Sequence, residues 1–439
     1  MQPPSNPMQL MLKRLVSSAV PTLVLGTLFA GWYASNIAFN IFNKQALLVF
    51  PNAATITFVH LAVASAVCAV AWSVRAFPYP QGAFRCPELM KSLAPLAALH
   101  AVGFLATNAS LGSVQVSFTH TIKALEPFFA VVLSAVLVGK RPPSAVSVFA
   151  LVPIVAGVIV ASVTEVSFVW AGFLSALLSN MCFQSRNVLS KEFMEREAYD
   201  SLEGVKNESL TSKWREAYVS RRGVSRPCRS EVQVDDFALF ALMSMGAAAL
   251  IGPIALAIDG PGPALTLLGA LPDAVANPHA AFSGSCDVAP YALSRSVVAG
   301  ACRTSDVLVS YAILSRVSPV THSVGNCVKR VAVIIASMIF FQNPTTLANR
   351  LGTGLALLGV LLYSVTLAHA KRVSTRRKTR RVLNEEQKSV AKMKDRRAAM
   401  PTSAPIDMPP AKKVAEKGED ATDKAPGQGK EGVDAGWGI

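Results

Sequence analysis

Charged side chains are scarce in this sequence. Lys, Arg, Asp and Glu make up only 16% of the 439 residues, whereas apolar residues make up 51%. A water-soluble domain of this length needs more charge than this on its surface, so the composition argues against one. Apolar runs of about 20 residues, the length that crosses a hydrocarbon core, recur along the chain instead. We therefore predict an all-α integral membrane protein.

Ten transmembrane helices are predicted from these runs. They lie near residues 21–43, 53–75, 92–112, 114–138, 144–164, 167–189, 235–258, 289–315, 317–342 and 347–369. The predicted organisation is a short N-terminal tail (1–20), a first membrane half with helices 1–5 plus helix 6 (21–189), a basic hydrophilic loop (190–234), helices 7–10 (235–370) and a disordered basic tail (371–439).

Paired cysteines and metal-binding clusters are also missing. The seven cysteines show no paired spacing, and four of them lie in predicted spans, which argues against a disulfide framework and a zinc site. The sequence shows neither a metal-binding carboxylate cluster nor a nucleophile with a nearby base, so it does not support a membrane-embedded phosphotransferase. We expect no enzyme activity, no cofactor and no metal.

The net charge of +15 does not indicate nucleic-acid binding, because much of the excess lies in the tail, where KRVSTRRKTRR has no aromatic residues between the basic ones. A contact with anionic lipid of the bilayer explains such a segment. Basic residues also favour one face of the predicted bundle: that face receives the loop at 191–229 and the tail, whereas 259–293 on the other face contains no Lys or Arg. The positive-inside rule then places both termini on the cytosolic side.

The chain contains a weak internal repeat. A constant shift of 202 residues pairs Thr119 with Thr321, His120 with His322, Gly157 with Gly359 and Ser162 with Ser364. Chance similarity between two apolar stretches is the alternative. A repeat of five helices is odd in number, so its second copy inserts upside down, and we predict an inverted 5+5 arrangement with substrate between the halves.

Four cations inside the predicted spans are the candidates for a binding site, because each charge there costs about 2.5–3.5 kcal/mol on insertion scales. They are Lys123, Arg186, Lys329 and Arg330. If they converge on one cavity they call for a multiply charged anion, and phosphate suits the planar fork of Arg and the point charge of Lys. Thr107 and Asn108 would add neutral hydrogen bonds.

Each cation also has a structural interpretation. Arg186 would extend toward the basic face, or Lys123 would pair with Glu126 one turn away. Lys329 and Arg330 point about 100° apart on a helix, so one of them would face a neighbouring helix. The histidines within predicted spans, His100, His120 and His322, are expected to bond between helices rather than to carry protons.

Four stretches carry a family resemblance: NIAFNIFNKQALLVFP, TNASLGSVQVSFTHTIKALEPFF, SFVWAGFLSALLSNMCFQSRNVLSK and RVSPVTHSVGNCVKRVAVI. They resemble the plastidic phosphate translocators, the triose-phosphate translocator family of the drug/metabolite transporter superfamily. The resemblance implies ten helices in an inverted 5+5 repeat and strict exchange of phosphate for phosphorylated compounds. By motif, Lys123, Lys329 and Arg330 would hold phosphate with help from Thr107, and Phe183 and Arg186 would contact the rest of the organic substrate.

Within the family these motifs look nearest to the phosphoenolpyruvate/phosphate branch, because a triose-phosphate carrier typically has His where Phe104 stands. Asp306 replaces a usual pocket Tyr, and it would repel an anion unless Arg303, one turn earlier, neutralises it. We expect an antiporter that exchanges inorganic phosphate for phosphorylated C3 compounds (phosphoenolpyruvate, with triose phosphate and 3-phosphoglycerate as further candidates). Its membrane would be a plastid or apicoplast-type envelope. The alternative is a nucleotide-sugar transporter of the Golgi or ER.

Overall fold

The computed structural model describes the backbone of residues 7–139, 144–203, 234–284, 287–314, 316, 317, 319–367, 369, 370, 373 and 384. It also describes their side chains, except those of residues 7–21, 195–203, 319, 320 and 323. Residues 1–370 form one unit, which contains every helix named below. Residues 371–439, where the basic tail is predicted, form a second unit that lies almost entirely outside the described residues.

Fifteen α-helices and one short 3-10 turn (Ala83–Arg85) make up the described fold. In chain order they are α1 (Pro7–Val49), α2 (Ala53–Ser73), α3 (Pro87–Ser113), α4 (Val116–Lys123), α5 (Glu126–Val138), α6 (Ala145–Phe149), α7 (Val152–Val163), α8 (Trp170–Glu203), α9 (Asp236–Ile258), α10 (Pro261–Gly269), α11 (Leu271–Ala276), α12 (Pro278–Ser283), α13 (Val288–Leu314), α14 (Pro319–Phe341) and α15 (Leu347–Leu367). The described backbone contains no strand, which confirms the all-α prediction.

Nine segments of the described chain are long and apolar enough to cross a membrane. They coincide with nine of the ten predicted spans, with α4 and α5 together forming the fourth and α6 and α7 the fifth. The sixth predicted span, 167–189, falls in α8, a helix of 34 residues that is less apolar and is not among the nine. The tenth crossing therefore stays a prediction.

The distribution of polarity is that of a membrane protein. Large apolar side chains face outward, with Val136 and Phe149 each 73% exposed and Val163 80% exposed. Polar side chains lie inside, and Asn43 and Asn108 are fully buried. An apolar exterior of this extent is expected where the surroundings are lipid.

Prolines divide the fourth and fifth spans into half-helices. Pro127 has no amide hydrogen to donate to the carbonyl of Lys123, and its ring crowds that carbonyl, so α4 ends at Lys123 and α5 begins at Glu126. Pro153 separates α6 from α7 in the same way. Three further prolines begin the short helices α10, α11 and α12 in the region 261–283, where the sequence predicted only a connection between spans.

The packing of the helices supports the internal repeat. Span 1 (α1) packs along span 8 (α13) as span 6 (α8) packs along span 3 (α3), and the contact of α2 with α13 is matched by that of α9 with α3. Each of these contacts becomes the other when every helix is replaced by its repeat counterpart, which lies five spans away in the chain. At the contact between α7 and α15, Gly157 lies against Ala356 and Gly359 lies against Ile154, and the 202-residue shift converts one contact into the other. A methyl group on either glycine would collide with the opposite backbone, so the repeat is closely packed here.

Candidate functional site

The buried cations of the two halves lie around one histidine. The ring of His120 is within electrostatic reach of Lys123, at the end of α4, and of Arg303, in α13. Lys329 and Arg330, near the middle of α14, also act on this ring, and Arg330 forms an ion pair with Glu126, three residues beyond Lys123. Its Nε2 hydrogen-bonds to Asn40 Oδ1 of α1 at 2.8 Å. The structure thus brings the phosphate-binding candidates of both halves together in one region.

Lys123 is surrounded by neutral groups. Its Nζ donates a hydrogen bond to Thr107 Oγ1 at 2.9 Å and lies 5.3 Å from the centre of the Phe183 ring. The Thr107 hydroxyl also shares a hydrogen bond of 2.7 Å with Ser179 Oγ. Among the described residues, no carboxylate is within ion-pair distance of this ammonium group. Lys123 therefore has room to pair with an anion.

Lys329 is held by a carboxylate. Its Nζ donates to Asp306 Oδ1 at 2.9 Å and lies 4.2 Å from the centre of the Trp32 ring. The other oxygen, Asp306 Oδ2, accepts a hydrogen bond of 2.8 Å from Arg303 Nη1. The residue Asp306 is only 3% exposed, so the carboxylate bridges two cations in a desolvated place. Arg303 thus pairs with Asp306, which meets the condition set from the sequence, and the bond to Lys329 is additional.

Arg330 forms an ion pair with Glu126, the first residue of α5. Glu126 therefore pairs with a cation of the opposite half and not with Lys123, so the pairing of Lys123 with Glu126 considered from the sequence is wrong. The break before Glu126 explains this, because Lys123 and Glu126 no longer belong to one continuous helix. Lys329 is 9% exposed and the Arg330 side chain 15% exposed, so neither faces lipid.

Aromatic rings lie between the cations. Phe104 and Phe183 meet edge to face, with their centres 5.5 Å apart. Arg186 lies 5.0 Å from the Phe183 ring centre and donates to His100 Nδ1 of α3, so it turns toward the bundle as well as bonding to its neighbour Asn187. Arg303 lies 5.3 Å from the Phe104 ring centre. Phe104, Phe183 and Arg186 thus form one aromatic and cationic wall.

The remaining polar residues mainly join helices. Asn108 bonds to Thr57 and Asn43 at 2.8 Å each, so it ties α3 to α2 and α1 instead of joining Thr107 beside Lys123. His322 shares a hydrogen bond of 2.9 Å with Ser310 of α13. Together with the contacts of His100 and His120, this confirms that the three histidines bond between helices.

Sequence reasoning treated Arg303 only as a partner of Asp306, whereas the structure makes it a central cation. The rule that selected the other cations applies to it as well, because Arg303 lies near the middle of the predicted span 289–315. The contact between the Trp32 ring and Lys329 could not be predicted from the sequence, because it depends on how α1 packs against α14.

A multi-spanning helical protein with a buried cationic centre is suited to carry anions across a membrane. The model of the Triose-phosphate Transporter family matches residues 23–214 and 207–364. The chain belongs to this family, which confirms the resemblance seen in its motifs and the expectation of a transporter rather than an enzyme.

Three curated relatives show the range of similarity. The chain is 43% identical over 347 residues to phosphoenolpyruvate/phosphate translocator 1, chloroplastic, of Oryza sativa subsp. japonica, covering 78% of this chain and 72% of the relative. It is 42% identical over 359 residues to the Arabidopsis thaliana phosphoenolpyruvate/phosphate translocator 2, chloroplastic, covering 82% and 80%. It is 41% identical over 357 residues to the triose phosphate/phosphate translocator, non-green plastid, chloroplastic, of Brassica oleracea var. botrytis, covering 81% and 75%.

Proposed function

We propose that this chain is an antiporter that exchanges inorganic phosphate for phosphorylated C3 compounds across a plastid-type envelope membrane, with both termini on the cytosolic side. The observation that carries the proposal is the approach of cations from both halves: Arg330 of the second half pairs with Glu126, three residues beyond Lys123, and the adjacent Lys329 bonds to Asp306. Cations are rarely collected at membrane depth without a functional anion to receive them.

The charge of the site suits a phosphate dianion. Four cations face two carboxylates in the described part of the site, so its formal charge is +2. In this proposal Lys123, Lys329 and Arg330 hold the phosphoryl oxygens and Thr107 adds a neutral hydrogen bond. A monocarboxylate would leave about half of the positive charge uncompensated.

The organic part of the substrate would lie against the aromatic wall. Arg186 provides a further cation for the carboxylate of phosphoenolpyruvate, and Phe183 and Phe104 provide apolar contact to its three-carbon skeleton. Phe104, in place of the His that is typical of triose-phosphate carriers, favours phosphoenolpyruvate. The names of the relatives include both phosphoenolpyruvate and triose phosphate, so the substrate class is C3 phosphates and phosphoenolpyruvate is our first choice.

Exchange follows from the cost of closing an empty site. Closing it without an anion would desolvate a net positive charge, above all that of Lys123, which has no acidic partner among the described residues, at several kcal/mol per ion. Bound phosphate removes most of this cost. Reorientation should therefore be fast when the site is loaded and slow when it is empty, without any need for an ion gradient.

Counter-exchange in liposomes tests the proposal. The purified chain is reconstituted into vesicles preloaded with labelled phosphate, and efflux is measured against external phosphorylated C3 to C6 compounds and nucleoside monophosphates. We expect external phosphoenolpyruvate to drive efflux at a rate similar to that with external phosphate. Vesicles without an external substrate should release little label. Efflux driven by nucleoside monophosphates but not by phosphoenolpyruvate would contradict the proposal and favour a nucleotide-sugar carrier.

A further inference from the structure

Asp306 is an anion placed inside an anion site. Its two oxygens bond to Lys329 at 2.9 Å and Arg303 at 2.8 Å, and its side chain is only 4% exposed. Lys123, by contrast, has only the Thr107 hydroxyl as a hydrogen-bond partner among the described residues. The two lysines that are proposed to bind phosphate thus differ in one respect: Lys329 is already paired with a carboxylate, and Lys123 is not.

A carboxylate and a phosphate compete for the same donor. The Lys329 ammonium has three hydrogens, and one is directed at Asp306 while the Trp32 ring lies beside the group. A phosphate that approaches Lys329 therefore meets a negative charge next to it, and repulsion between the two anions weakens binding. Arg303 holds Asp306 from the other side, so the carboxylate has a partner when Lys329 turns away.

We propose that Asp306 is an internal counter-anion that occupies Lys329 when the carrier is empty and releases it when substrate phosphate binds. The inference rests on the proposed phosphate exchange and adds a role for this residue. Asp306 lowers the affinity for phosphate because it competes for Lys329. It also lowers the cost of closing the empty site, because one of the desolvated cations keeps a partner.

The second effect sets how strictly the two directions of transport are coupled. An empty carrier with a partly neutralised site reorients more readily than one with bare cations. Wild-type protein should therefore show slow but measurable phosphate uptake into vesicles that contain no exchangeable anion. Removing the charge of Asp306 should make exchange tighter in affinity and stricter in coupling.

The variant Asp306→Asn tests this, because the amide oxygen still accepts a hydrogen bond from Lys329 while the charge is lost. Phosphate/phosphate exchange and uptake into anion-free vesicles are measured on the full chain in liposomes. We expect the half-saturating phosphate concentration to fall about tenfold, equivalent to about 1.4 kcal/mol. We also expect anion-free uptake to fall severalfold as a share of exchange.

Two variants serve as controls. Asp306→Glu keeps the charge and should restore both wild-type values. Glu165→Gln removes another buried carboxylate, whose described partners Ser167 and Asn349 are neutral, and should leave both values unchanged. Where Asp306→Asn does not assemble, Asp306→Ser carries the same test with the same expected shifts.

An unchanged or raised half-saturating concentration in Asp306→Asn would overturn the inference. A lower maximal rate at unchanged affinity would do the same, because it is the result of a merely structural carboxylate. Thermal unfolding of the detergent-solubilised chain at increasing phosphate measures binding without transport. A wild-type chain that exchanges no phosphate overturns the proposed function, and in that case the thermal titration still decides whether Asp306 competes, by the same tenfold shift.

Discussion

The two halves of the protein present their lysines to the site in opposite ways. Lys123 of the first half bonds to a hydroxyl and lies over Phe183, whereas Lys329 of the second half bonds to the carboxylate of Asp306 and lies over Trp32. Each half supplies a lysine, an aromatic ring and an acid, but only Lys329 bonds to a carboxylate, because Glu126 of the first half pairs with Arg330. The difference teaches that one lysine has no anionic partner among the described residues, while the other is already paired with a carboxylate.

The largest expected effect is on transport, and it should not distinguish the two lysines. Lys123→Ala and Lys329→Ala should each reduce phosphate exchange in liposomes more than about 100-fold, because removing one partner of a desolvated charge pair costs about 2–5 kcal/mol. Lys91→Ala, near the beginning of α3, is the matched control and should exchange normally. Exchange near the wild-type rate in either site variant would refute the assignment of that lysine.

Stability should separate the same two variants. Lys329→Ala leaves Asp306 with one cation fewer, so thermal unfolding without phosphate should show a loss of about 1–3 kcal/mol. Lys123→Ala removes a charge that has no acidic partner in the described structure, so its unfolding midpoint should stay level or rise. Equal losses in the two variants would show that the lysines are compensated alike and would break the comparison.

A smaller effect is expected at the neutral partner of Lys123. Thr107→Val keeps the shape of the side chain and removes the hydroxyl that bonds to both Lys123 and Ser179. We expect exchange to fall about tenfold, as for the loss of one hydrogen bond to a charged group. Thr27→Val serves as the control, since among the described residues that exposed hydroxyl bonds to Leu23 of its own helix alone. A full wild-type rate in Thr107→Val would remove Thr107 from the site.

Much of this arrangement could be predicted from the sequence because its causes are local. Span positions follow from runs of apolar residues, and Lys123, Lys329 and Arg330 stand out because charge is costly in a span. The constant shift of 202 residues also paired Gly157 with Gly359, and the structure shows that the two make matching contacts between α7 and α15.

The pairing of charges could not be predicted, because it depends on which side chains meet across the bundle. Periodicity on one helix allowed Lys123 and Glu126 to pair, yet the break at Pro127 and the packing of α14 give Glu126 to Arg330. Asp306 stood one turn from Arg303 in the sequence, but its contact with Lys329 joins α13 to α14 and has no local signal. Sequence reasoning therefore identified Lys123, Lys329 and Arg330 as site cations, whereas the fold adds Arg303 and shows which cations are paired.

An experimental structure of the carrier with bound phosphate tests the central claim most directly. We expect one phosphate with oxygens about 2.7–3.2 Å from Lys123 Nζ and, at the same time, from Lys329 Nζ or the Arg330 guanidinium. A phosphate that contacts cations of one half only, or that binds away from all three, would contradict the account.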